Sequence, residues 1–410
     1  MLRHFFVWLH RWVGLLMAGF LLIEGLTGSL LAFNSELTRF FNPQIIVTPP
    51  APDAPLLDLA TLAERAEALV PEARVDYFGG GTPDPVLLRC SPRTDPTTGK
   101  PYDIGFKYLV LDPWTGKELG RLQDRHYAQG FVQNIMPFVY DLHMYLALGN
   151  TGAWALGIVA LIWTLDCFVG FYLTLPVAIE NFWRRWKPAW LIKWPAGFFR
   201  LNFDLHRASG LWLWPLLFVF AWSSVMLELQ STYDWVTGAV FDYLSPIDAI
   251  MVMPQHPNET PRLDWRAAQA AGERLMAEQA ALHGFIVRRP MGLGYIKEFG
   301  AYTYAVQGSR DVRGRGWNTS LWLDGDTGAL RSLDLPTGEH SGNTVSSWLW
   351  ALHFADLHGS VAYRIFVCGL GLVITLLSVT GVYIWWKKRR ARKFSKAHRG
   401  MAAALEVVAE

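Results

Sequence analysis

The sequence predicts an α-helical membrane protein, with a four-helix transmembrane bundle, two α+β domains outside the membrane and a tandem internal duplication. Three observations lead to this prediction. The 410 residues are 51% hydrophobic and only 18% charged, whereas soluble domains carry about 25% charge. Four apolar stretches are long enough to cross a bilayer. Short motifs also recur in the same order in the two halves of the chain.

The apolar stretches are Val13–Phe33, Ala153–Val177, Ala208–Leu227 and Ile365–Trp386. Each has about 20 residues or more, which at about 1.5 Å rise per residue crosses a hydrocarbon core of about 30 Å. Pro215 is expected to kink the third stretch. No helix break typical of a transporter binding site is evident in the four stretches.

Two carboxylates lie inside these spans, Glu24 in the first and Asp166 in the second. An ionisable group at membrane depth is costly and is therefore a candidate for function. Glu24 lies 14 residues after His10, on nearly the same helix face. It is interpreted as a proton carrier, a quinol contact or a hydrogen-bonded structural carboxyl, and these alternatives stay open.

The charges flanking the spans predict their orientation. Segment 180–207 has six Lys/Arg against two acids, and the sequence after Trp386 reads KKRRARKFSKAHR. The loops 34–142 and 231–347 each have 10 Lys/Arg, against 14 and 13 acids. The protein is expected in a bacterial inner membrane. By the positive-inside rule, both termini are expected to lie in the cytoplasm and both loops in the periplasm.

These patterns divide the chain into eight predicted segments. They are a first span at 1–33, a periplasmic domain at 34–142, a second span at 143–179, a cytoplasmic loop at 180–207, a third span at 208–230, a second periplasmic domain at 231–347, a fourth span at 348–387 and a basic tail at 388–410. The net charge of +2 gives no indication of nucleic acid binding, and three cysteines exclude a disulfide framework and a four-cysteine cluster.

The duplication is visible in matched motifs. Leu-His-Arg at 9–11 recurs at 205–207, and Leu-His at 142–143 recurs at 352–353. In the loops, YLVLDPWTGKEL at 108–119 matches SLWLDGDTGALR at 320–331. Each loop also has one amphipathic helical pattern, at 56–70 and at 263–282. The D-x-x-T-G segments predict hairpin turns, and the acids of LDGDTG are interpreted as turn residues rather than as a calcium site.

Four of the 11 histidines occupy matched positions beside the spans. His10 and His206 lie at the predicted cytoplasmic ends. His143 and His353 lie at the predicted periplasmic ends, provided that their helices continue into the spans. Two imidazoles from different helices at one level are what a b-type haem needs, so two such levels predict two haem b groups. The absence of a CxxCH motif excludes covalent haem.

Nearby residues could complete these sites. Arg11 and Arg207 follow the first histidine pair and are candidates to bind haem propionates, while simple positive-inside charge is an equal alternative. Arg364 could serve the second haem in the same way. His358 lies five residues after His353, which would put it on another side of the same helix, and it is an alternative ligand.

The sequence resembles the PepSY-associated transmembrane family. The resemblance rests on LHRWVGL…GLTGSLLAF (9–33), LHRASGLW (205–212), the two Leu-His motifs, TGVYIWWKKR (380–389) and the D-x-x-T-G hairpins. It covers nearly the whole chain and implies PepSY-like periplasmic domains. The sequence departs from the family pattern at Ala355–His358, which leaves the ligand open between His353 and His358.

Some members of that family resemble FoxB-type ferric-siderophore reductases, which are dihaem proteins of the inner membrane. The resemblance implies that His10, His206, His143 and His353 bind the two haem irons. It also implies electron transfer from a cytoplasmic reductant or membrane quinol to a ferric siderophore in the periplasm. The alternatives are an iron or siderophore permease or accessory protein without redox activity, and a regulatory binding protein of the PepSY type.

Overall fold

The computed structural model describes residues 1–79, 85–123, 126–127, 130–245, 257–316 and 318–409. The chain forms two compact units. The helical unit consists of Met1–Ala32, Tyr140–Thr232 and Ile365–Glu410, and the sheet unit consists of Phe33–Val139 and Tyr233–Arg364. Each unit therefore combines segments from both halves of the sequence.

The helices of the described residues are α1 (Leu2–Leu31), α2 (Asn34–Phe41), α3 (Leu59–Leu69), α4 (Ile135–Tyr145), α5 (Asn150–Thr174), α6 (Phe182–Trp186), α7 (Phe198–Trp212), α8 (Trp214–Glu228), α9 (Gln230–Val240), α10 (Trp265–His283), α11 (Ser341–His353) and α12 (Val361–Ala409). Three of them, α1, α5 and α12, are long and apolar enough to cross a membrane. The last of them contains the predicted fourth stretch, whereas α1 ends two residues before the end of the predicted first stretch and α5 ends three residues before the end of the second.

The predicted third span is not one straight helix. It is broken at Leu213 into α7 and α8, which are bent by 70° relative to each other. Pro215 lies in the first turn of α8, where its missing N–H costs nothing. The kink expected at this proline is confirmed, and it amounts to a helix break that is not evident from the sequence. With the bent pair counted as one span, the described residues contain four.

The helices of His143 and His353 do not continue into the spans, contrary to the expectation from the sequence. His143 is in α4, which ends at Tyr145, five residues before α5 begins. His353 is the last residue of α11, and α12 begins only at Val361. Both connections contain residues with positive φ, which end a right-handed helix; these residues are Leu146, Ala147, Gly149, Ala355, His358 and Gly359. His358 is therefore in a loop, and not on the helix of His353.

The strands of the sheet unit are β1 (Ala73–Gly79), β2 (Val86–Pro92), β3 (Tyr108–Leu111), β4 (Glu118–Gln123), β5 (His126–Tyr127), β6 (Val287–Ile296), β7 (Ala301–Gly308), β8 (Thr319–Asp324) and β9 (Leu330–Asp334). They form one nine-stranded sheet with the order β5-β4-β3-β2-β1-β6-β7-β8-β9. All of the pairings are antiparallel. The strands of the two predicted periplasmic domains thus belong to one continuous sheet.

The two halves of the sheet join between β1 and β6. Phe78 pairs with Leu293, and Tyr77 pairs with Gly294. A Cβ atom at Gly294 would lie 2.7 Å from the Cβ of Tyr77 and 2.9 Å from the carbonyl oxygen of Asp76. Only glycine permits this close approach of the two strands without a local rearrangement.

Helices α3 and α10 pack on one face of the sheet, around a core that includes Phe78, Leu293 and Trp265. The predicted amphipathic helices are confirmed, and their first residues follow from capping. The carboxylates of Asp58 and Asp264 accept hydrogen bonds from the backbone N–H groups of Thr61 and Ala267. Such N-caps satisfy donors that a helix cannot satisfy internally.

Both predicted hairpin turns are confirmed, and they have the same hydrogen bonds. In each, the aspartate carboxylate accepts from two backbone N–H groups of the turn: Trp114 and Thr115 for Asp112, and Asp326 and Thr327 for Asp324. The glycines that end the turns have φ values of 66° and 69°, which favours glycine at both places. Asp324 differs in two respects, since its first oxygen also accepts from the Thr327 hydroxyl at 2.9 Å and its second accepts from Arg331 at 2.6 Å.

Asp324 predicts a pH dependence of stability. Partial burial acts to raise the pKa of Asp324, but the Arg331 guanidinium and the donors of the turn outweigh it, so the pKa is well below its usual range. Asp324→Asn is expected to be less stable than the wild type at pH 7. Since the folded-state pKa is depressed, this difference is present above the ordinary pKa of about 4 and disappears as the pH falls further. Thermal unfolding of the full chain at several pH values tests it.

The matched control for this prediction is Asp112→Asn. Within the described part of the chain, the Asp112 carboxylate accepts only from backbone N–H groups. We therefore expect Asp112→Asn to lose less stability at pH 7 than Asp324→Asn does, because no charged partner among the described residues is lost there. Equal pH profiles for the two variants would contradict a specific contribution from the Asp324–Arg331 pair.

Candidate functional site

The helical unit contains a cavity of about 430 Å³ that is lined by His10 and His206. Cofactor and ligand pockets range over about 300–1,000 Å³. The centres of the two imidazole rings are 6.3 Å apart, and their planes are inclined by 57°. An imidazole–metal bond is about 2 Å long, so two rings that share one metal ion have their centres about 6 Å apart. The predicted pair therefore lies at the separation of two axial ligands.

The Asp166 carboxylate fixes the orientation of the His10 ring through the Nδ1 atom of that ring. The Nδ1 atom of His10 is 3.0 Å and 2.9 Å from the two carboxylate oxygens of Asp166. The Asp166 side chain is only 9% exposed. A buried carboxylate requires such a partner. With Nδ1–H donating to Asp166, the other ring nitrogen, Nε2, is the one available as a metal ligand.

His206 is held differently. Its Nδ1 atom is 3.1 Å from the carbonyl oxygen of Leu377 and 3.1 Å from the hydroxyl of Thr380. Both groups belong to α12, whereas His206 is on α7. Since a carbonyl oxygen can only accept, Nδ1 donates and Nε2 is again the available nitrogen. In the described residues, no protein group hydrogen bonds to Nε2 of either His10 or His206.

A glycine packs against each of these rings. A Cβ atom at Gly170 would lie 3.6 Å from Cε1 of His10, and one at Gly381 would lie 3.3 Å from Cε1 of His206. Gly14 and Gly210 also line the cavity. These four glycines therefore border the same space. A larger side chain at any of them would occupy part of it.

The cavity also has positive charge. Arg11 and Lys388 line it, and Arg11 forms no hydrogen bond or ion pair within the described part of the chain. Arg207 lines it as well, but its guanidinium donates to Asp204, 2.9 Å away, and to the carbonyl of Pro188. Its Nε atom is buried and has no hydrogen-bond partner among the described residues. The free cation of Arg11 and the orphaned Nε of Arg207 could both bind an anionic group.

These features fit a haem at this position. The donor set is two imidazoles whose Nδ1 atoms are held by acceptors, which leaves both Nε2 atoms for the metal, as bis-histidine ligation requires. The glycines leave space at both rings, and the cations fit propionates. The donor set, the space beside both rings and the nearby cations are therefore compatible with haem. In the described residues no group of three or more His, Cys, Asp or Glu forms another metal cluster.

His143 resembles His10 in its surroundings. Its Nδ1 atom is 3.0 Å from a carboxylate oxygen of Glu24 and 2.9 Å from the hydroxyl of Thr27. A Cβ atom at Gly28 would lie 3.1 Å from its Cε1 atom. Glu24 is therefore the hydrogen-bonded partner of His143 rather than of His10. Glu228 lies within electrostatic range of both Glu24 and His143.

The remaining predicted residues are in the sheet unit. His353 contacts Phe354, with their ring centres 5.8 Å apart. The backbone N–H of His358 donates to the carbonyl of Val312. Arg364 forms two hydrogen bonds with the Glu36 carboxylate, at 2.6 and 3.0 Å. The bidentate edge of Arg364 is therefore occupied by Glu36, and only its buried Nε has no partner among the described residues.

Sequence reasoning missed several contributors to the cavity and to the His143 site. They are Thr27, Thr380, Lys388 and the carbonyl of Leu377. A signal existed for two of the contacts, because Glu24 and Thr27 are three residues apart on α1, and Asp166 and Gly170 are four apart on α5. Side chains at such spacings share one face of a helix, so each carboxylate could have been placed beside a neighbouring small or hydroxyl residue. Their histidine partners are distant in sequence.

The chain has relatives among known proteins. An uncharacterized protein of Pseudomonas aeruginosa is 26% identical over 300 residues, which is 67% of this chain and 70% of that protein. The sequence profile described as the PepSY-associated TM region matches residues 7–388. This match extends over all of α1 after its first turn, the whole sheet unit and α12 as far as Lys388. The chain belongs to the family of proteins that contain the PepSY-associated TM region.

Proposed function

We propose that this protein is a dihaem b-type reductase of the bacterial inner membrane, which passes electrons to a ferric siderophore in the periplasm and releases iron as Fe(II). The observation that carries the proposal is the pair of imidazoles at the cavity, 6.3 Å apart with each Nδ1 held by an acceptor. Bound haem would supply reversible one-electron transfer.

The residues of the chain have separate tasks in this proposal. His10 and His206 would both bind the haem iron, and a haem held by two histidines transfers electrons rather than binding oxygen. Asp166 and Thr380 hold the rings in one tautomer. Arg11 binds a propionate, and the apolar wall of the cavity excludes water. A cytoplasmic reductant or a membrane quinol is the proposed electron donor.

A second haem is proposed on His143, with His353 as its other ligand because the two lie in matched Leu-His motifs. The carboxylate and hydroxyl on Nδ1 of His143 support a metal-binding role, since metal-bound histidines usually donate their other N–H to such an acceptor. Hard oxygen ligands bind Fe(III) much more strongly than Fe(II), so one-electron reduction at the periplasmic side would loosen the iron.

Purification of the full chain from haem-replete cells tests this function. We expect a red protein with a reducible low-spin b-type spectrum and about two haems per chain. The dithionite-reduced protein should be reoxidised by a ferric siderophore, with Fe(II) trapped by a chromogenic chelator. A panel of ferric siderophores then defines the substrate. A colourless protein, or a reduced protein that no ferric complex reoxidises, would disprove the proposal.

The bend between α7 and α8 supports a second candidate, a permease for iron or a siderophore. Broken helices line the binding sites of many transporters, and the 70° break at Leu213 is of that kind. Against this, Pro215 alone is a sufficient cause of the break. Uptake of a labelled ferric siderophore into proteoliposomes without any reductant would favour the permease. Dependence on a reductant would favour the reductase.

A further inference from the structure

The two histidines at the cavity differ in what holds their Nδ1 atoms. His10 has a carboxylate, with Asp166 oxygens at 3.0 and 2.9 Å. His206 has two neutral acceptors, the Leu377 carbonyl and the Thr380 hydroxyl, both at 3.1 Å. The Nδ1 atom of His10 thus has a carboxylate as its acceptor, whereas that of His206 has only neutral acceptors.

This difference occurs at matched positions of the two halves. Gly170 packs against Cε1 of His10, and Gly381 packs against Cε1 of His206. Asp166 lies four residues before Gly170, and Leu377 lies four residues before Gly381. In both halves, the residue four positions before the glycine thus provides an acceptor for the histidine Nδ1. It does so through its side chain in the first half and through its backbone carbonyl in the second. The halves share the ligand and the glycine, but only the first has the charge.

The charge has a predictable effect on a metal-bound imidazole. A carboxylate that accepts from Nδ1–H draws that proton toward itself and makes Nε2 a stronger electron donor. The Asp166 side chain is 9% exposed, so water screens its charge weakly. Stronger donation and a nearby negative charge both stabilise Fe(III) relative to Fe(II). A neutral acceptor has neither effect to the same extent.

We propose that Asp166 is a positioning residue that directs Nε2 of His10 into the cavity and lowers the reduction potential of the haem bound there. This inference rests on the proposed function. The carboxylate that lowers the reduction potential is then the side chain by which the first half differs from the second. Asp166 itself touches neither the substrate nor the metal.

Potentiometric titration of the purified full chain tests the inference. Asp166→Asn keeps a carbonyl oxygen as acceptor and removes the charge. We expect this variant to retain its haem and to show, for one haem only, at least a tenfold shift of the equilibrium toward Fe(II), which is a rise of about 59 mV for one electron. Asp166→Glu should return the potential toward that of the wild type. Thr380→Val, which removes a neutral acceptor from His206, should cause a smaller shift.

Each outcome decides the inference. Loss of one haem in Asp166→Asn that Asp166→Glu restores would also support it, because haem retention would then depend on the carboxylate. Unchanged potentials in a fully loaded Asp166→Asn variant would overturn it, as would equal haem loss in the Asn and Glu variants. A colourless wild type overturns the proposed function and this inference together. If the wild type is red and the haem of the Asp166→Asn variant has the same reduction potential, the inference is overturned but the proposed function is not.

Discussion

The His10→Ala variant is expected to lose one of about two haems per chain while the protein remains folded. His10 and His206 line one cavity with their ring centres 6.3 Å apart, so removal of either would leave only one of the two histidines to hold the proposed haem. His206→Ala should therefore lose the same haem. Pyridine haemochrome analysis with protein quantification measures this stoichiometry in detergent-purified samples.

The double variant, which combines His10→Ala with His206→Ala, provides a sharper test than either single variant. If the two imidazoles bind one iron, the double variant should lose no more haem than either single variant, because effects within one site are not additive. His143→Ala should remove the other haem, and its combination with His10→Ala should leave almost none. Additive losses for His10 and His206 would show that they serve different haems.

A surface histidine supplies the control. His340 lies in the sheet unit, with its Nδ1 atom 2.9 Å from a carboxylate oxygen of Asp242, so it has a carboxylate partner like that of His10. His340→Ala should retain the full haem content. Equal loss in this variant would mean that the chain loses haem through general instability. Full haem retention in His10→Ala would refute the ligand assignment.

Features that depend on nearby residues could be predicted from the sequence. The amphipathic period predicts α3 and α10, and the capping residues Asp58 and Asp264 determine where these helices begin. The D-x-x-T-G turns follow from a carboxylate that accepts from the next backbone N–H groups and from a glycine at positive φ. Each of these elements forms within a few residues.

Features that depend on distant pairing could not be predicted. The joining of β1 and β6 brings Phe78 beside Leu293, and no local pattern chooses that partner. The ends of α4 and α11 were also missed, since Leu146 and Ala355 adopt positive φ although neither residue type favours it. The surrounding structure imposes these conformations, and the sequence near them contains no corresponding signal.

The residues of the candidate site also divide into those that the sequence predicts and those that only distant pairing identifies. The histidines could be selected because they recur at matched positions, and their pairing follows from the repeat. Glu24 and Asp166 have no counterpart in the other half, so the repeat gives no information about them. Their partners, His143 and His10, are 119 and 156 residues away in the sequence, and only the folded chain identifies them.

A second large effect is expected at Gly371, where α12 meets α1. A Cβ atom at Gly371 would lie 2.5 Å from the carbonyl oxygen of Gly25 and still closer to the hydroxyl of Ser29. Ser29 also donates a hydrogen bond to the carbonyl of Cys368. Because the obstructing atoms include backbone, Gly371→Ala must push the helices apart. Overpacking of this kind costs about 1–3 kcal/mol, and thermal unfolding in detergent measures it.

Gly369→Ala is the matched control, because it lies on the same helix and, apart from the nearby backbone of that helix, no atom of the described residues lies within 4 Å of a Cβ at this position. There, alanine should be neutral or stabilising, by up to about 1 kcal/mol, through its higher helix propensity. Separation of α1 from α12 would also move His10 relative to Thr380, which holds His206. Gly371→Ala is therefore expected to lower haem retention as well as the unfolding temperature. Equal unfolding temperatures for the two variants would contradict the close contact of the helices, and a fall in stability with full haem retention would show that the cavity does not depend on it.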